Sequence, residues 1–152
     1  LIERGIPVYG SDLTPELLDD RGEDSRELML SWLEAGSVYY TGHRDVAYVP
    51  PTELFSLAEG LDLTFGQETV QVYYPGPTHA ADNVVVWFPD RQLLFGGCMV
   101  LAGERVGNIA DADMVNWPIA VARLARFEFE TLIPGHGDAV HAQSEEGTVG
   151  QA

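Results

Sequence analysis

The sequence predicts a fold of the α/β class, with α+β as the alternative, in which helices flank a sheet. Three observations favour this class. Short segments with strand-like alternation fill the middle of the chain, helix-like apolar spacing occurs on both sides of them, and glycine or proline separates the segments. The length of 152 residues suits a single domain, and a hydrophobic content of 45% is typical of globular proteins.

The first third of the chain is predicted to be mainly helical. "LIERGIPVYG" indicates the end of a helix, a glycine stop and a short strand. Thr14 and Pro15 are typical of a helix start, with Thr14 as the cap. Apolar residues then predict two helical pieces, separated by the polar segment around Gly22 and ended by Gly36. Residues 39–53 are predicted as loop or irregular strand, because their proline pair interrupts regular structure.

The apolar period changes to two further along the chain. "LDLTFGQETVQVYYPG" predicts a hairpin that turns at Gly66 and Gln67. "NVVVWFP" and "QLLFGG" predict another pair of strands, and "FETLIPG" predicts the last strand. "VNWPIAVARLARF" predicts a helix between them with Pro118 near its start. The helix residues expected to face the core are Ile119, Val121, Leu124 and Phe127.

Charge and hydropathy exclude several classes of partner. The formal net charge of −16 argues against binding to nucleic acid, which needs clustered cations, and against an anionic membrane surface. No apolar stretch approaches the roughly 18 residues of a membrane span. No signal-peptide pattern opens the chain. Because it starts at Leu1, inside what is predicted to be the end of a helix, we expect an internal fragment or a chain whose amino-terminal part is missing.

Three residues that could bind a metal each follow a predicted strand. His79 lies in "YYPGPTHAADN", Cys98 in "FGGCMV" and His136 in "LIPGHGD". If these strands are neighbours, their ends meet at one edge of the sheet and the three side chains converge. Zinc accepts imidazole and thiolate together, whereas calcium and magnesium prefer oxygen ligands. The spacing therefore predicts a zinc site.

Other interpretations of the same residues remain open. A single free cysteine is most often a small buried hydrophobe, and any one histidine alone is most often a turn residue. Cys98 could also be a nucleophile, with His79 or His136 as its base. His43 and His141 do not follow strand ends of this type, and we do not expect them to be ligands.

Three motifs together resemble the carboxy-terminal half of a metallo-β-lactamase, of the two-zinc subclass with a cysteine ligand. They are "YPGPTHAADNVVVWFPDRQLLFGGCMV", "GNIADADMVNWP" and "LIPGHG". The resemblance covers most of the stretch from about Asp62 to Gly137 and, more weakly, "GIPVYGSDLTPELL". The resemblance implies part of the αβ/βα sandwich, a mixed sheet flanked by helices, with the amino-terminal half missing. Residues 1–152 would form one incomplete domain, with a helical or loop insertion at 12–51 and an irregular tail at 138–152.

The resemblance also implies a reaction and its metal ligands. The reaction is hydrolysis of the β-lactam amide, which causes antibiotic resistance, by water that zinc activates. The complete enzyme would hold two Zn²⁺ ions. His79 matches a ligand of the first ion, and Cys98 and His136 match two ligands of the second.

Two further residues are implied to contact the substrate. Asn108 matches the asparagine whose amide can stabilise the developing oxyanion. Many members bind the substrate carboxylate with a lysine three residues after the cysteine, and that position is Leu101 here. Arg105 could replace it with its bidentate guanidinium, and a solvated loop arginine is the alternative.

One expected motif is absent from the sequence. The family's His-x-His-x-Asp segment supplies three further ligands, but no two histidines here are separated by one residue. We therefore expect weak or no zinc binding and no turnover by these 152 residues alone. The alternatives are another hydrolase of this fold, acting on an ester, thioester or amide, and a non-catalytic truncated product. The resemblance further implies a small-molecule β-lactam substrate, a periplasmic location and a monomer when complete.

Overall fold

The computed structural model describes residues 2–102, 107–136 and 141–142. The chain divides into two compact units, Leu1–Phe55 and Ser56–Ala152. Helices and strands occur in both, which confirms the α/β class. In the described part of the chain, no helix has the length and apolar character needed to cross a membrane. The single incomplete domain and the insertion at 12–51 stay predictions.

The first unit is built around a short parallel pair of strands. β1 (Tyr9–Ser11) pairs with β2 (Glu53–Phe55). Two helices, α1 (Thr14–Trp32) and α2 (Val38–Arg44), lie in the connection between them. A 3₁₀ turn at Ile2–Arg4 precedes β1, as expected from the first residues of the sequence.

Helix α1 is continuous, so the prediction of two helical pieces is wrong. Gly22 is buried within it, and a Cβ atom there would lie 3.1 Å from the ring of Tyr48. The guanidinium of Arg26, one turn along the same face, lies 5.5 Å from the centre of that ring. Tyr48 therefore packs over a glycine that the sequence presents as a helix breaker.

Two further predictions about the first unit are wrong. Thr14 is the first residue of α1 and not its cap, because Leu13 occupies the cap position. The Ser11 hydroxyl accepts from the Thr14 backbone N–H at 3.1 Å. The Thr14 hydroxyl accepts in return from the Ser11 N–H, at 3.1 Å. Residues 39–53 were predicted as loop or strand, but most of their first half belongs to α2. The missed signal is Ser37, which caps α2 by accepting from the Tyr40 N–H at 3.1 Å.

The second unit contains a mixed six-stranded sheet. Its strands are β3 (Leu61–Phe65), β4 (Glu68–Tyr73), β5 (Val85–Phe88), β6 (Leu93–Phe95), β7 (Thr131–Ile133) and β8 (His141–Ala142). They are arranged in chain order, and every pair is antiparallel except β6 with β7. Both predicted strand pairs are confirmed. β8 adds a strand after the one predicted to be last, within the tail expected to be irregular.

One face of this sheet packs against the helix in the β6–β7 connection. Helix α3 (Trp117–Ala122) continues as a 3₁₀ helix, Arg123–Arg126. Ile119 is 50% exposed, so its predicted place in the core is wrong. The helical period instead directs Trp117, Ala120 and Val121 inward. The buried core comprises Val85, Trp87, Leu94, Met99, Val100, Trp117, Val121, Leu124, Phe129 and Leu132, with Phe127 packed against it.

Candidate metal centre

The order of the strands brings the three predicted ligands to one edge of the sheet. β4 and β6 are each antiparallel to β5, so they run in the same direction, and β7 is parallel to β6. The carboxyl ends of β4, β6 and β7 therefore share an edge, and His79, Cys98 and His136 follow these three ends. The strand arrangement on which the prediction rests is confirmed.

Cys98 and His136 are in contact. The Cys98 Sγ lies 3.6 Å from the His136 Nε2. Cys98 belongs to a 3₁₀ turn, Gly97–Met99, and we call residues 96–101 the Cys98 turn. The segment that carries His136 pairs with the end of this turn, because Leu101 and His136 form a parallel bridge.

Glycine allows the two segments to approach this closely. The Gly135 N–H donates to the carbonyls of both Gly97 and Val100, each at 2.9 Å. A Cβ atom at position 135 would lie 2.3 Å from the Gly97 carbonyl oxygen and 2.8 Å from the Cys98 nitrogen. Gly97 itself has a φ of +57°, which favours glycine. The contact of cysteine with histidine therefore depends on backbone packed directly against backbone.

His79 lies in a loop of residues 74–83, the His79 loop, which is held by its own polar side chains. The fully buried Thr78 hydroxyl donates to the Asn83 Oδ1 at 3.0 Å, and the Ala80 N–H donates to the same oxygen at 2.7 Å. The Tyr74 hydroxyl donates to the Ala81 carbonyl at 2.8 Å. Burial, followed by the nearby charge of Asp82, raises the pKa of Tyr74. The raised pKa extends the range of alkaline pH over which this hydroxyl remains a donor.

The His79 imidazole and the indole of Trp117 form a T-shaped contact, with ring centres 5.8 Å apart and an angle of 85° between the planes. It does not complete a cluster with the other two residues. Among the described residues, no group of three or more His, Cys, Asp or Glu side chains is arranged to hold a metal ion. The structure thus joins Cys98 to His136 and leaves His79 outside that pair.

The Cys98–His136 pair nevertheless has the donor set and spacing that zinc requires. With Zn–S of about 2.3 Å and Zn–N of about 2.0–2.1 Å, two ligands of one tetrahedral ion lie about 3.6 Å apart. The observed separation of 3.6 Å matches this value. A thiolate and an imidazole suit zinc and do not suit calcium or magnesium. The pair therefore fits two corners of a zinc site.

The structure describes only some of the remaining candidate residues. Asn108 is exposed, and its Oδ1 accepts from the Ala110 N–H at 3.1 Å. This bond orients the carboxamide with its NH₂ group on the opposite side. Arg105 lies outside the described residues. His43 is an exposed residue of α2, and the side chain of His141 is outside the described part of the chain.

Asp113 is a supporting residue that the sequence reasoning missed. Its backbone N–H donates to the Thr78 carbonyl at 2.7 Å, which fixes the His79 loop to the segment before α3. Its carboxylate accepts from the side-chain amide of Asn116 and from the backbone N–H groups of Asn116 and Val115. These hydrogen bonds lower the pKa of Asp113 below its ordinary value of 3.8. The sequence signal for this supporting role is an Asp three residues before Asn116, at the start of a predicted helix.

Comparison with known proteins places the chain in a family. The family model described as the metallo-beta-lactamase superfamily matches residues 3–136. The chain is 33% identical over 141 residues to metallo-beta-lactamase type 2 of Bacillus sp. (strain 170), a match that covers 90% of this chain and 44% of that protein. It is 38% identical over 92 residues to metallo-beta-lactamase type 2 of Bacteroides fragilis, covering 58% of this chain and 37% of that protein.

Solved structures show the same relationship. The metallo-beta-lactamase from Pontibacter korlensis superposes with a TM-score of 0.71 at 31% identity, covering 93% of this chain and 55% of that chain. This chain thus spans less than half the length of the two curated relatives and about half of the solved structure. The matched region includes His79, Cys98 and His136. By sequence and by fold, the chain belongs to the metallo-β-lactamase superfamily.

Proposed function

We propose that this chain supplies the Cys98 and His136 ligands, and His79, to the zinc centre of a β-lactam-hydrolysing enzyme. The observation that carries the proposal is the 3.6 Å contact of the Cys98 Sγ with the His136 Nε2, which has the spacing of two ligands of one zinc ion. The names of the relatives support β-lactams as the substrate class. A periplasmic location, a monomeric state and a role in antibiotic resistance follow from the same relationship as parts of the proposal.

The three residues would have separate assignments. Cys98, as thiolate, and His136 would hold one zinc ion, and His79 would hold a second. A catalytic zinc site needs three protein ligands, so the remaining ligands must come from a segment of the His-x-His-x-Asp kind. Bound zinc supplies a Lewis acid that lowers the pKa of a coordinated water to about 7 and polarises a carbonyl.

This chain also contributes polar groups that could act on the substrate. Asn108 is exposed, and its bond to the Ala110 N–H directs the amide NH₂ outward, where it could donate to the oxygen that becomes negative during attack. Removal of one such donor costs a factor of about 10²–10³ in kcat in well-studied hydrolases. Arg105 is proposed to bind the substrate carboxylate with its guanidinium.

A second candidate function is supported by the same contact. The His136 imidazole is close enough to the Cys98 Sγ to act as its base, as required of a cysteine nucleophile that cleaves an ester, thioester or amide. The two mechanisms respond differently to reagents. Chelation should abolish activity that depends on zinc and leave a cysteine nucleophile active, whereas alkylation of Cys98 in the metal-free chain should abolish the activity of a cysteine nucleophile.

The proposal is tested by metal titration of the 152-residue chain. Cobalt bound by Cys98 gives a thiolate charge-transfer absorption. We expect the Co²⁺ affinity of this chain to be weak, because two ligands leave the site incomplete. Cys98→Ser should abolish the absorption, and His136→Ala should reduce Co²⁺ affinity at least about tenfold. His43→Ala, on an exposed helix of the first unit, is the matched control and should change nothing.

Hydrolysis is measured with nitrocefin in parallel. The 152-residue chain alone should give no turnover, and a longer form that carries the missing ligands should be active and sensitive to chelation. A longer form that carries the missing ligands but gives no thiolate–cobalt absorption, or one in which His136→Ala binds Co²⁺ as well as wild type does, would contradict the zinc assignment.

A further inference from the structure

We infer that Trp117 is a positioning residue, which holds the His79 loop and the Cys98 turn in register with each other. The effect of Trp117 on metal binding rests on the proposed function. The contacts that Trp117 makes do not depend on that proposal. The two segments come from different parts of the sheet edge, since one follows β4 and the other follows β6. A single buried side chain contacts both.

The indole of Trp117 makes two contacts of different kinds. Its ring is in T-shaped contact with the His79 imidazole, 5.8 Å from centre to centre. Its Nε1–H donates to the Met99 carbonyl at 3.0 Å, in a buried hydrogen bond. Met99 follows Cys98 directly in the Cys98 turn and is fully buried. The orientation of this one ring therefore constrains the imidazole of His79 and the backbone beside the Cys98 thiol.

The backbone adds a third connection. The Trp117 N–H donates to the Asp113 carbonyl at 2.9 Å, and the Asp113 N–H donates to the Thr78 carbonyl at 2.7 Å. Thr78 precedes His79, so the start of α3 is bonded to the loop whose histidine the indole contacts. Trp117 is only 4% exposed. Backbone hydrogen bonds thus fix the position of Trp117, and its indole N–H in turn fixes the Cys98 turn.

The indole N–H is the part of this side chain that a phenyl ring cannot replace. Removal of the hydrogen-bond donor to a buried carbonyl raises the free energy of the folded state, and this favours a shift of the Cys98 turn. Phenylalanine would keep an aromatic ring against His79 and remove only the bond to Met99. Leucine would remove both contacts. The two substitutions therefore distinguish the contact with His79 from the hydrogen bond to Met99.

The first test uses the metal-free 152-residue chain and needs no assumption about zinc. Cys98 is the only cysteine, so the rate of alkylation by iodoacetamide reports on this turn alone. Trp117→Phe should raise the rate by about fivefold, the factor that corresponds to one hydrogen bond. It should leave the ¹H–¹⁵N signals of the His79 imidazole near their wild-type positions, whereas Trp117→Leu should change the rate and shift these signals.

Val121→Ala is the matched control, because Val121 is a buried residue of the same helix and its truncation lowers stability through the core. At temperatures well below unfolding, it should leave the alkylation rate and the His79 signals unchanged. If Val121→Ala accelerates alkylation as much as Trp117→Phe does, Trp117 is an ordinary core residue and the inference is wrong. The same conclusion holds if Trp117→Phe alkylates at the wild-type rate.

The second test adds Co²⁺. Trp117→Phe should weaken Co²⁺ binding by about tenfold, as expected when a residue that orients ligands is removed, and Val121→Ala should not. A longer form that carries the missing ligands and still gives no thiolate–cobalt absorption refutes the proposed function, while the alkylation and imidazole measurements still decide the role of Trp117. Unequal alkylation rates with equal Co²⁺ affinities would refute the link from Trp117 to metal binding.

Discussion

Substitution of Gly135 by alanine should separate Cys98 from His136. The added Cβ atom would lie 2.3 Å from the Gly97 carbonyl oxygen, 2.4 Å from the Gly97 carbonyl carbon and 2.8 Å from the Cys98 nitrogen. All three are backbone atoms, so no flexible side chain can move aside. Because ordinary contact begins near 3.4 Å, the segment before His136 and the Cys98 turn must move apart by about 1 Å.

The size of the effect follows from this displacement. Overpacking of this kind costs about 1–3 kcal/mol. The same movement weakens the two hydrogen bonds from the Gly135 N–H to Gly97 and Val100, worth about 1 kcal/mol each. A separation of 3.6 Å between the Cys98 Sγ and the His136 Nε2, increased by about 1 Å, no longer fits two ligands of one tetrahedral zinc ion. We therefore expect a loss of about 2–4 kcal/mol in the free energy of unfolding and a loss of Co²⁺ affinity of at least about tenfold.

The measurements are urea denaturation followed by tryptophan fluorescence and Co²⁺ titration of the thiolate absorption. Gly42→Ala is the matched control, because position 42 lies in helix α2 with no atom within 4 Å of an added Cβ. It makes the same change to the unfolded chain and should stabilise the protein by up to about 1 kcal/mol. Wild-type stability together with wild-type Co²⁺ affinity in Gly135→Ala would refute the argument that backbone contact sets this pair.

Three further predictions concern the surroundings of the site and the first unit. Asn83→Ala should destabilise the protein by about 2 kcal/mol in urea denaturation, because the buried Thr78 hydroxyl and a loop N–H lose their acceptor, whereas Asn83→Asp keeps the acceptor and should cost less. The pKa of Asp113 lies below its ordinary value, so its stabilising effect is present above pH 3.8 and is lost as the pH falls through the lower pKa of the folded state. Asp113→Asn should flatten the acid side of the stability profile, where the pH falls through the lowered pKa of Asp113, and an unchanged slope would contradict the assignment. Gly22→Ala should fail to stabilise α1, although alanine is the better helix former, and should become stabilising when Tyr48→Ala removes the ring it meets.

Much of the second unit could be predicted from local sequence patterns, because its strands alternate between a buried and a less buried face. In β5, Val85 and Trp87 are buried, and the residues between and after them are only partly buried. The first unit was predicted less well. Helix α1 is rich in charged residues, and the signal for its continuity is the packing of Tyr48 on Gly22, a contact across 26 positions that no local pattern encodes.

The candidate ligands could be predicted, but the residues that hold them could not. His79, Cys98 and His136 are rare side chains at strand ends, so spacing alone draws attention to them. Asn83 and Asp113 are common loop residues, and their roles depend on hydrogen bonds to Thr78 and Ala80 that exist only in the folded chain. Trp117 was placed in a helix but was not predicted as a core residue, since its two partners lie 18 and 38 positions away.

The two parts of the candidate centre are held in place by different interactions, and this difference should determine how each part tolerates substitution. The Cys98–His136 pair follows from backbone pairing, because the Gly96 N–H donates to the Ile133 carbonyl and the Ala102 N–H donates to the His136 carbonyl, at 2.9 and 3.0 Å. The pair is therefore vulnerable at its glycines and, among the side chains described above, at Trp117, whose indole N–H donates to the Met99 carbonyl. His79 is oriented instead by side chains of a loop and a helix, and several single substitutions can displace it. Metal binding in this family member should therefore be lost more easily on the His79 side than on the Cys98 side.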